Sequence, residues 1–212
     1  MWYFAWILGV LLACAFGIIN VLWLEAQENL KQDSMVLDPL TKTLTRFEFL
    51  TILRERISHT IFEPIPFCVL MMGLNDASRK AINTRREQGE RLILEYVSVI
   101  RGVLPRRNAI TARYDSSTFA AILSETDVRT AQSFAEKICA FSKTHAQASP
   151  SEGVTISIGI SACGRDLLKE CGNDPDLAFN TLLRNADQAM QEAREQGGDR
   201  HVTVIAPSRL AT

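Results

Sequence analysis

The side chains in this 212-residue chain that could hold a metal or attack an electrophile are few and widely spaced. Five cysteines (Cys14, Cys68, Cys139, Cys163 and Cys171) form no Cys-x-x-Cys pair, and the three histidines (His59, His145 and His201) lie far from one another in sequence. Zinc sites and disulfide frameworks need regular ligand spacing, so neither is indicated and no metal site is expected. The cysteines read as reduced thiols of a cytoplasmic domain, with Cys14 in a membrane segment. A formal net charge of -1 gives no global field that would draw the chain onto a polyanion, which argues against nucleic acid as a partner.

The elements that must position any site begin with an anchor. Met1 to Leu24 carries no charged side chain, and as a helix it spans roughly 36 Å, enough to cross a bilayer. Trp2, Tyr3 and Trp6 at one end and Trp23 at the other suit the membrane interface, and Glu25 marks the exit into water. Lysine and arginine occur only downstream, from Lys31 on, so the C-terminal side is expected in the cytoplasm. A cleaved signal peptide needs a basic start and a small-x-small site, which this stretch lacks. Leu11-Leu12-Ala13-Cys14 has the look of a lipoprotein cleavage box, but the apolar run continues well past Cys14. Ala5, Gly9, Ala13 and Gly17 recur every fourth residue, with Asn20 nearby, which makes a stripe where another helix can approach closely.

Met1-Trp2-Tyr3-Phe4-Ala5-Trp6-Ile7-Leu8-Gly9, then Leu11-Leu12-Ala13-Cys14, Phe16-Gly17 and Leu24-Glu25, resemble the small subunit X of bacterial cytochrome bd quinol oxidase, a single-helix polypeptide. The resemblance covers about 25 residues. It implies an accessory helix that docks against the large oxidase subunits and supports their haems. The segment has no histidine, and no methionine beyond Met1, so packing rather than haem ligation is its expected role.

The remaining chain, 47% apolar overall, has room for one domain of about 150 residues. Residues 26–37 read as a stalk that continues the helix as a coupler. Asp38-Pro39 is expected to open a new helix, with Asp38 as N-cap and Pro39 at the first position. The periodicities then give a helix to about 58, a buried strand 66–74, helices at about 76–84 and 88–104, and a hairpin 109–124. A helix 127–143, a strand 153–162, a helix 176–196 and a last strand 201–205 follow. Residues 207–212 are left as a tail. The order implies a mixed α/β domain with a central sheet flanked by helices.

Over residues 38–206 that order resembles the GGDEF domain, the nucleotidyl-cyclase-like fold of diguanylate cyclases. Asp38-Pro39-Leu40-Thr41 with Arg46, Ala112-Arg113-Tyr114, Val154-Thr155-Ile156-Ser157-Ile158-Gly159-Ile160, and Leu183-Arg184-x-Ala186-Asp187-x-Ala189-Met190 match family strings in the family order. The resemblance implies a homodimer in which each domain holds one GTP and two magnesium ions. The ions would be held by an Asp ending the first strand and an acid in the signature hairpin, while glycines let bare backbone approach the phosphates.

Here the signature is replaced by Asp115-Ser116-Ser117-Thr118-Phe119, in which only the phenylalanine survives. Asp115 adds negative charge where triphosphate would sit, and Thr118 puts a neutral hydroxyl at the glutamate position. Aligned without gaps to Gly89-Glu90, the strand metal Asp falls on Gly73, the guanine-reading Asn on Ala81 and the guanine-reading Asp on Glu90. A second register, through Lys80-Ala81-Ile82-Asn83, restores the Asn and puts Asn75 at the metal position. Neither supplies the carboxylate, and Asp76, the nearest acid, reads as an N-cap. Arg194 stands where the family has a phosphate-contacting Lys, followed by Gly197-Gly198-Asp199 in place of Gly-Arg-Asn. Arg106 begins an Arg-x-x-Ala in place of the product-inhibition motif, and with Arg107 reads as a solvated turn residue.

The expectation is therefore a catalytically silent GGDEF domain at the cytoplasmic face of a bacterial inner membrane. It would bind no cofactor of its own and would act as an accessory or regulatory subunit of cytochrome bd oxidase, whose haem sits in the partner. The alternatives are a divergent active diguanylate cyclase using GTP and magnesium, and a non-catalytic sensor of GTP or cyclic-di-GMP with Glu90, Arg106 and Arg194 as ligand contacts.

Overall fold

The computed structural model describes residues 2–33, 36–74, 86–148 and 156–204. The chain divides into two units, Met1–Val36 and Leu37–Thr212.

The first unit is helix α1 (Trp2–Asp33). Its apolar stretch Trp2–Trp23 is long enough to cross a membrane, and every side chain in it is exposed. A Cβ built on Gly9 or Gly17 meets nothing within 4 Å, so the small-residue stripe lies open along the helix.

In the second unit β1 (Leu44–Thr45), α2 (Arg46–Phe62), β2 (Phe67–Leu74), α3 (Arg86–Val103), β3 (Ala109–Arg113) and β4 (Thr118–Ser124) come first. They are followed by α4 (Val128–Ala148), β5 (Ile156–Cys163), α5 (Arg165–Glu170), α6 (Pro175–Glu195) and β6 (Arg200–Val204). The six strands form one sheet in the order β1-β3-β4-β2-β5-β6. The outer pairs β1·β3 and β5·β6 are parallel and the three inner pairs antiparallel. Strand β2 is central and all eight of its residues are buried, as its unbroken apolar run requires. Alternation splits the core into two layers. Cys68, Leu70, Met72 and Leu74 pack with Leu92, Tyr96 and Ile100 of α3 and Ala135 and Ile138 of α4. Phe67, Val69 and Met71 pack with Phe49, Leu53 and Ile57 of α2 and Leu182, Ala186 and Met190 of α6.

One expected boundary is corrected. Asp38 does not cap a helix; residues 39–41 form a turn, Lys42 takes a left-handed φ of 52°, and helix α2 begins only at Arg46. Its cap is Thr45, whose side chain accepts from the Glu48 N–H at 3.5 Å, a Thr-x-x-Glu start. The chain must pause because Leu44 and Thr45 pair in parallel with Ala112 and Arg113. Asp38 caps the turn instead: the Thr41 N–H and Oγ1 both donate to its Oδ2 at 2.8 Å, and Arg113 Nη1 donates to both its oxygens at 3.2 Å.

Sequence periodicity also missed β1 and α5, which are too short to show a period. The helix expected at about 76–84, with Asn75, Asp76, Ala81 and Asn83, lies outside the described residues, as do residues 153–155 and the tail.

Helix α6 opens on a strong stop-start signal, with Asp174 Oδ1 accepting from the N–H groups of Asp176 and Leu177 and Pro175 in the first turn. It closes on Gly197 and Gly198, both at positive φ, where the Gly198 N–H reaches the Ala193 carbonyl at 3.0 Å. Asp199 then turns its Oδ1 to the Ile156 N–H at 3.0 Å, which ties the end of the helix to the start of β5.

Two predictions follow from these contacts. A Cβ at Gly159 would collide with the Ala186 carbonyl and the Met190 nitrogen, backbone atoms that cannot step aside. Gly159→Ala is expected to cost about 3 kcal/mol and to lower the Tm of the detergent-solubilised chain by roughly 6–12 °C, measured by thermal unfolding. Burial raises the Asp38 carboxyl, but the hydrogen bonds from Thr41 and the charge and hydrogen bonds of Arg113 outweigh it and leave the pKa below its ordinary value. Its stabilisation is thus complete above the unfolded pKa and fades as the pH falls through the folded one. Asp38→Ala should cost about 1–3 kcal/mol at neutral pH, a deficit that shrinks in acid when Tm is followed from pH 7 to pH 3.

Candidate functional site

The candidate site lies where β2 ends beside the hairpin joining β3 to β4. The register sets Gly73 opposite Thr118 on one side and Ser157 on the other. Alternation turns this row toward α6, because Met72 and Phe119 belong to the opposite core layer. Two positions separated by many residues in sequence, which the gap-free register sets where the family resemblance implies metal-binding carboxylates, are therefore direct cross-strand neighbours, while Asn75 of the second register lies outside the described residues. Here they are a glycine and a threonine.

The space above Gly73 is filled from α6. A Cβ there would lie 2.6 Å from Arg194 Nη2 and 2.8 Å from Met190 Sδ. Arg194 Nη2 donates to the Leu74 carbonyl at 3.4 Å and Nη1 to Gln191 Oε1 at 3.2 Å. Its Nε is buried and has no partner. Arg194, expected at a phosphate, thus reaches into the end of the central strand.

The hairpin turn is held by its own acid. Asp115 Oδ1 accepts from the Ser117 N–H at 2.7 Å, and from Ser117 Oγ at 3.5 Å, the local pattern of an Asx turn. The Tyr114 and Asp115 N–H groups go to the Thr118 carbonyl, and the Ser117 carbonyl accepts from the Leu74 N–H at 3.0 Å. Ser117, Thr118 and Phe119 are buried, while Asp115 and Ser116 face outward. At the base of the hairpin, Arg46 lies 4.4 Å above the Tyr114 ring, which meets Phe49 edge-on. Behind it Tyr96 packs edge-on against Phe119 at 5.1 Å. Burial pushes the Tyr96 hydroxyl well above its ordinary pKa, Cys139 adds to this and Arg194 opposes it.

Other residues singled out from sequence fall elsewhere. Glu90 is half-buried on α3. Arg106 is exposed in the turn before β3, at the strand end remote from the hairpin, so it does not join Arg194. Arg107 is likewise exposed there. Ala5, Gly9, Ala13, Gly17 and Asn20 lie on the exposed apolar helix, and Glu25 continues the same helix. Burial pushes the Cys68 and Cys163 thiols up to about 12 and Cys139 to about 11, so all three stay protonated and unreactive. Two clefts, of about 390 Å³ beside His59 and about 220 Å³ beside Cys163, open at the other end of the strands.

The donor set of the described residues does not suit a pair of hard divalent cations. Among the described residues no three His, Cys, Asp or Glu side chains converge, Gly73 offers no side-chain oxygen, Thr118 is neutral, and a guanidinium stands beside them. What sequence reading missed is the role of Gly73, Met190 and Gly159 in bringing α6 onto the strand ends. A glycine in an otherwise apolar strand was the available signal.

Residues 35–200 match the family described as diguanylate cyclase, GGDEF domain, and residues 1–27 match that of membrane bound YbgT-like proteins. The N-terminal segment is 69% identical over 29 residues to cytochrome bd-I ubiquinol oxidase subunit X of Escherichia coli strain K12, covering 14% of this chain and 78% of that one. Over 169 residues the chain is 26% identical to the probable diguanylate cyclase DgcT of the same strain, a match that covers 78% of this chain and 35% of DgcT. Among solved structures, diguanylate cyclase SiaD in complex with its activator SiaC from Pseudomonas aeruginosa superposes with a TM-score of 0.73 at 21% identity, over 94% of this chain and 73% of that one. Such an identity speaks to the fold alone. On these matches and on the sheet order, this chain belongs to the GGDEF-domain family of diguanylate cyclases and, in its first 27 residues, to the membrane-bound YbgT-like family.

Proposed function

We propose that this chain is a membrane-anchored GGDEF protein that makes no cyclic-di-GMP and serves as an accessory or regulatory subunit of a cytochrome bd-type quinol oxidase. The observation that carries the proposal is the joining, in one chain, of a helix 69% identical to an oxidase small subunit and a GGDEF domain with the neutral residues Gly73 and Thr118 facing each other, at the positions that the gap-free register aligns with the family's metal-binding acids. The first 25 residues are the span, residues 26–37 the stalk and residues 38–206 the GGDEF domain, on the cytoplasmic side of a bacterial inner membrane.

In this reading the helix does the recognising. Its stripe of Ala5, Gly9, Ala13 and Gly17 lets the backbone of an oxidase helix approach closely, where van der Waals contact rather than the hydrophobic effect drives association in lipid. Asn20 adds an interhelical hydrogen bond, and the aromatic residues at both ends fix the depth. The haem stays in the large subunits. The soluble domain works by contact with proteins, including a second copy of itself, and needs neither GTP nor magnesium.

Tagged full-length protein drawn from its native membrane in mild detergent is expected to carry haem absorbance, and Gly9→Leu should lower the haem recovered per mole of chain about tenfold by spoiling the close approach. Recovery of the chain alone, free of haem, would remove the oxidase from the proposal. Incubated with GTP and magnesium, the purified full-length protein should release no cyclic-di-GMP by liquid chromatography; steady production would return it to the active cyclases.

A further inference from the structure

We infer that Arg194 is a resident cation standing where the family's divalent ions would bind, so that the site is closed to metal by its own guanidinium and is not merely short of carboxylates. The inference rests on the non-catalytic reading above and extends it, since a site that lacks acids is restored by adding them, whereas a site that already holds a cation is not.

The geometry is specific. Gly73 and Thr118 face each other across β2 and β4, and the guanidinium of Arg194 lies over Gly73, with Nη2 2.6 Å from the position a Cβ would take. Any carboxylate placed at position 73 would extend directly into that group. The guanidinium's hydrogen-bond acceptors are the Leu74 carbonyl and the Gln191 amide oxygen, both uncharged. Among the described residues it makes no ion pair, and its Nε is buried without an acceptor. Among the described residues, a partly exposed positive charge therefore stands at the end of a buried strand with only uncharged acceptors around it. Its helix is held there because α6 is pressed onto β5 at Gly159, and the Met190 thioether lies beside the guanidinium above Gly73.

Two consequences separate this arrangement from a simple loss of ligands. First, a carboxylate introduced at position 73 pairs with Arg194 instead of binding a metal. Second, metal binding returns only when the guanidinium is also removed. Both are testable on the full-length protein in detergent, with Mn²⁺ as the probe and its free-ion electron paramagnetic resonance signal as the readout.

Four proteins are compared: the unaltered chain, Gly73→Asp with Thr118→Glu, the same pair with Arg194→Gln, and Arg194→Gln alone. The unaltered chain, the two-carboxylate variant and Arg194→Gln alone should leave the Mn²⁺ signal almost unchanged, and the triple variant should bind at least about tenfold more tightly than the two-carboxylate variant. Equal binding by the double and triple variants would overturn the inference while leaving the non-catalytic reading in place. Binding of Mn²⁺ by the unaltered chain, or cyclic-di-GMP synthesis by it, would instead sink that reading. Should the triple variant not fold, the single variants Gly73→Asp and Gly73→Asn decide the first consequence. The aspartate should unfold at a higher temperature than the asparagine at pH 7, with the difference closing below about pH 3 as the carboxylate protonates. Identical melting at both pH values would mean that Arg194 does not face position 73.

Discussion

The close approach of α6 to β5 at Gly159 is the contact on which the arrangement of the second unit turns. The backbone of Ala186 and Met190 occupies the volume a Cβ would need, so the helix lies on the sheet at a height no other residue type permits. That height brings Met190 and Arg194 over the end of β2. It also lets the glycine-rich close of the helix feed Asp199 back onto the first amide of β5. Helix, strand and site are thus held by one steric condition, with the alanines of α6 providing the smooth face that meets it.

Given that placement, electrostatics at the strand ends follow. A magnesium-dependent site needs anionic oxygens to repay the dehydration of a strongly hydrated ion. Among the described residues, the facing positions at this strand end are Gly73 and Thr118, and the neighbouring charge is the Arg194 cation. Asp115, the acid nearest the turn, is engaged with the Ser117 amide and has become part of the hairpin's folding chemistry.

Much of this was readable in advance, and the exceptions are instructive. The long uncharged start reads as a spanning helix because lipid leaves no other way to satisfy a backbone, and the continuous apolar run at 67–74 reads as a central strand. Asp38-Pro39 opens a turn and not a helix, because an Asx residue before proline signals a capped start without saying what starts. Arg113, in contact with Asp38 from across the domain, makes it the anchor of a turn. The Asp38 and Arg113-Tyr114 strings that separately resemble family motifs are therefore two halves of one contact, joined again by Arg46 over Tyr114. Sequence spacing carries no trace of such pairs.

By itself the sequence determined what kinds of group are present: an apolar anchor with a small-residue stripe, an α/β order of elements, and a hairpin stripped of its glycines and its glutamate. These are local properties, set by side-chain type and period within a few turns or strands of chain. Only the tertiary structure decided that Gly73 and Thr118 are partners, that Arg194 points at the strand end rather than outward, and that Arg106 stands apart from it. Those relations depend on sheet register and on the height of one helix, which are fixed by steric contact between segments distant in sequence and so leave no periodic mark within either segment.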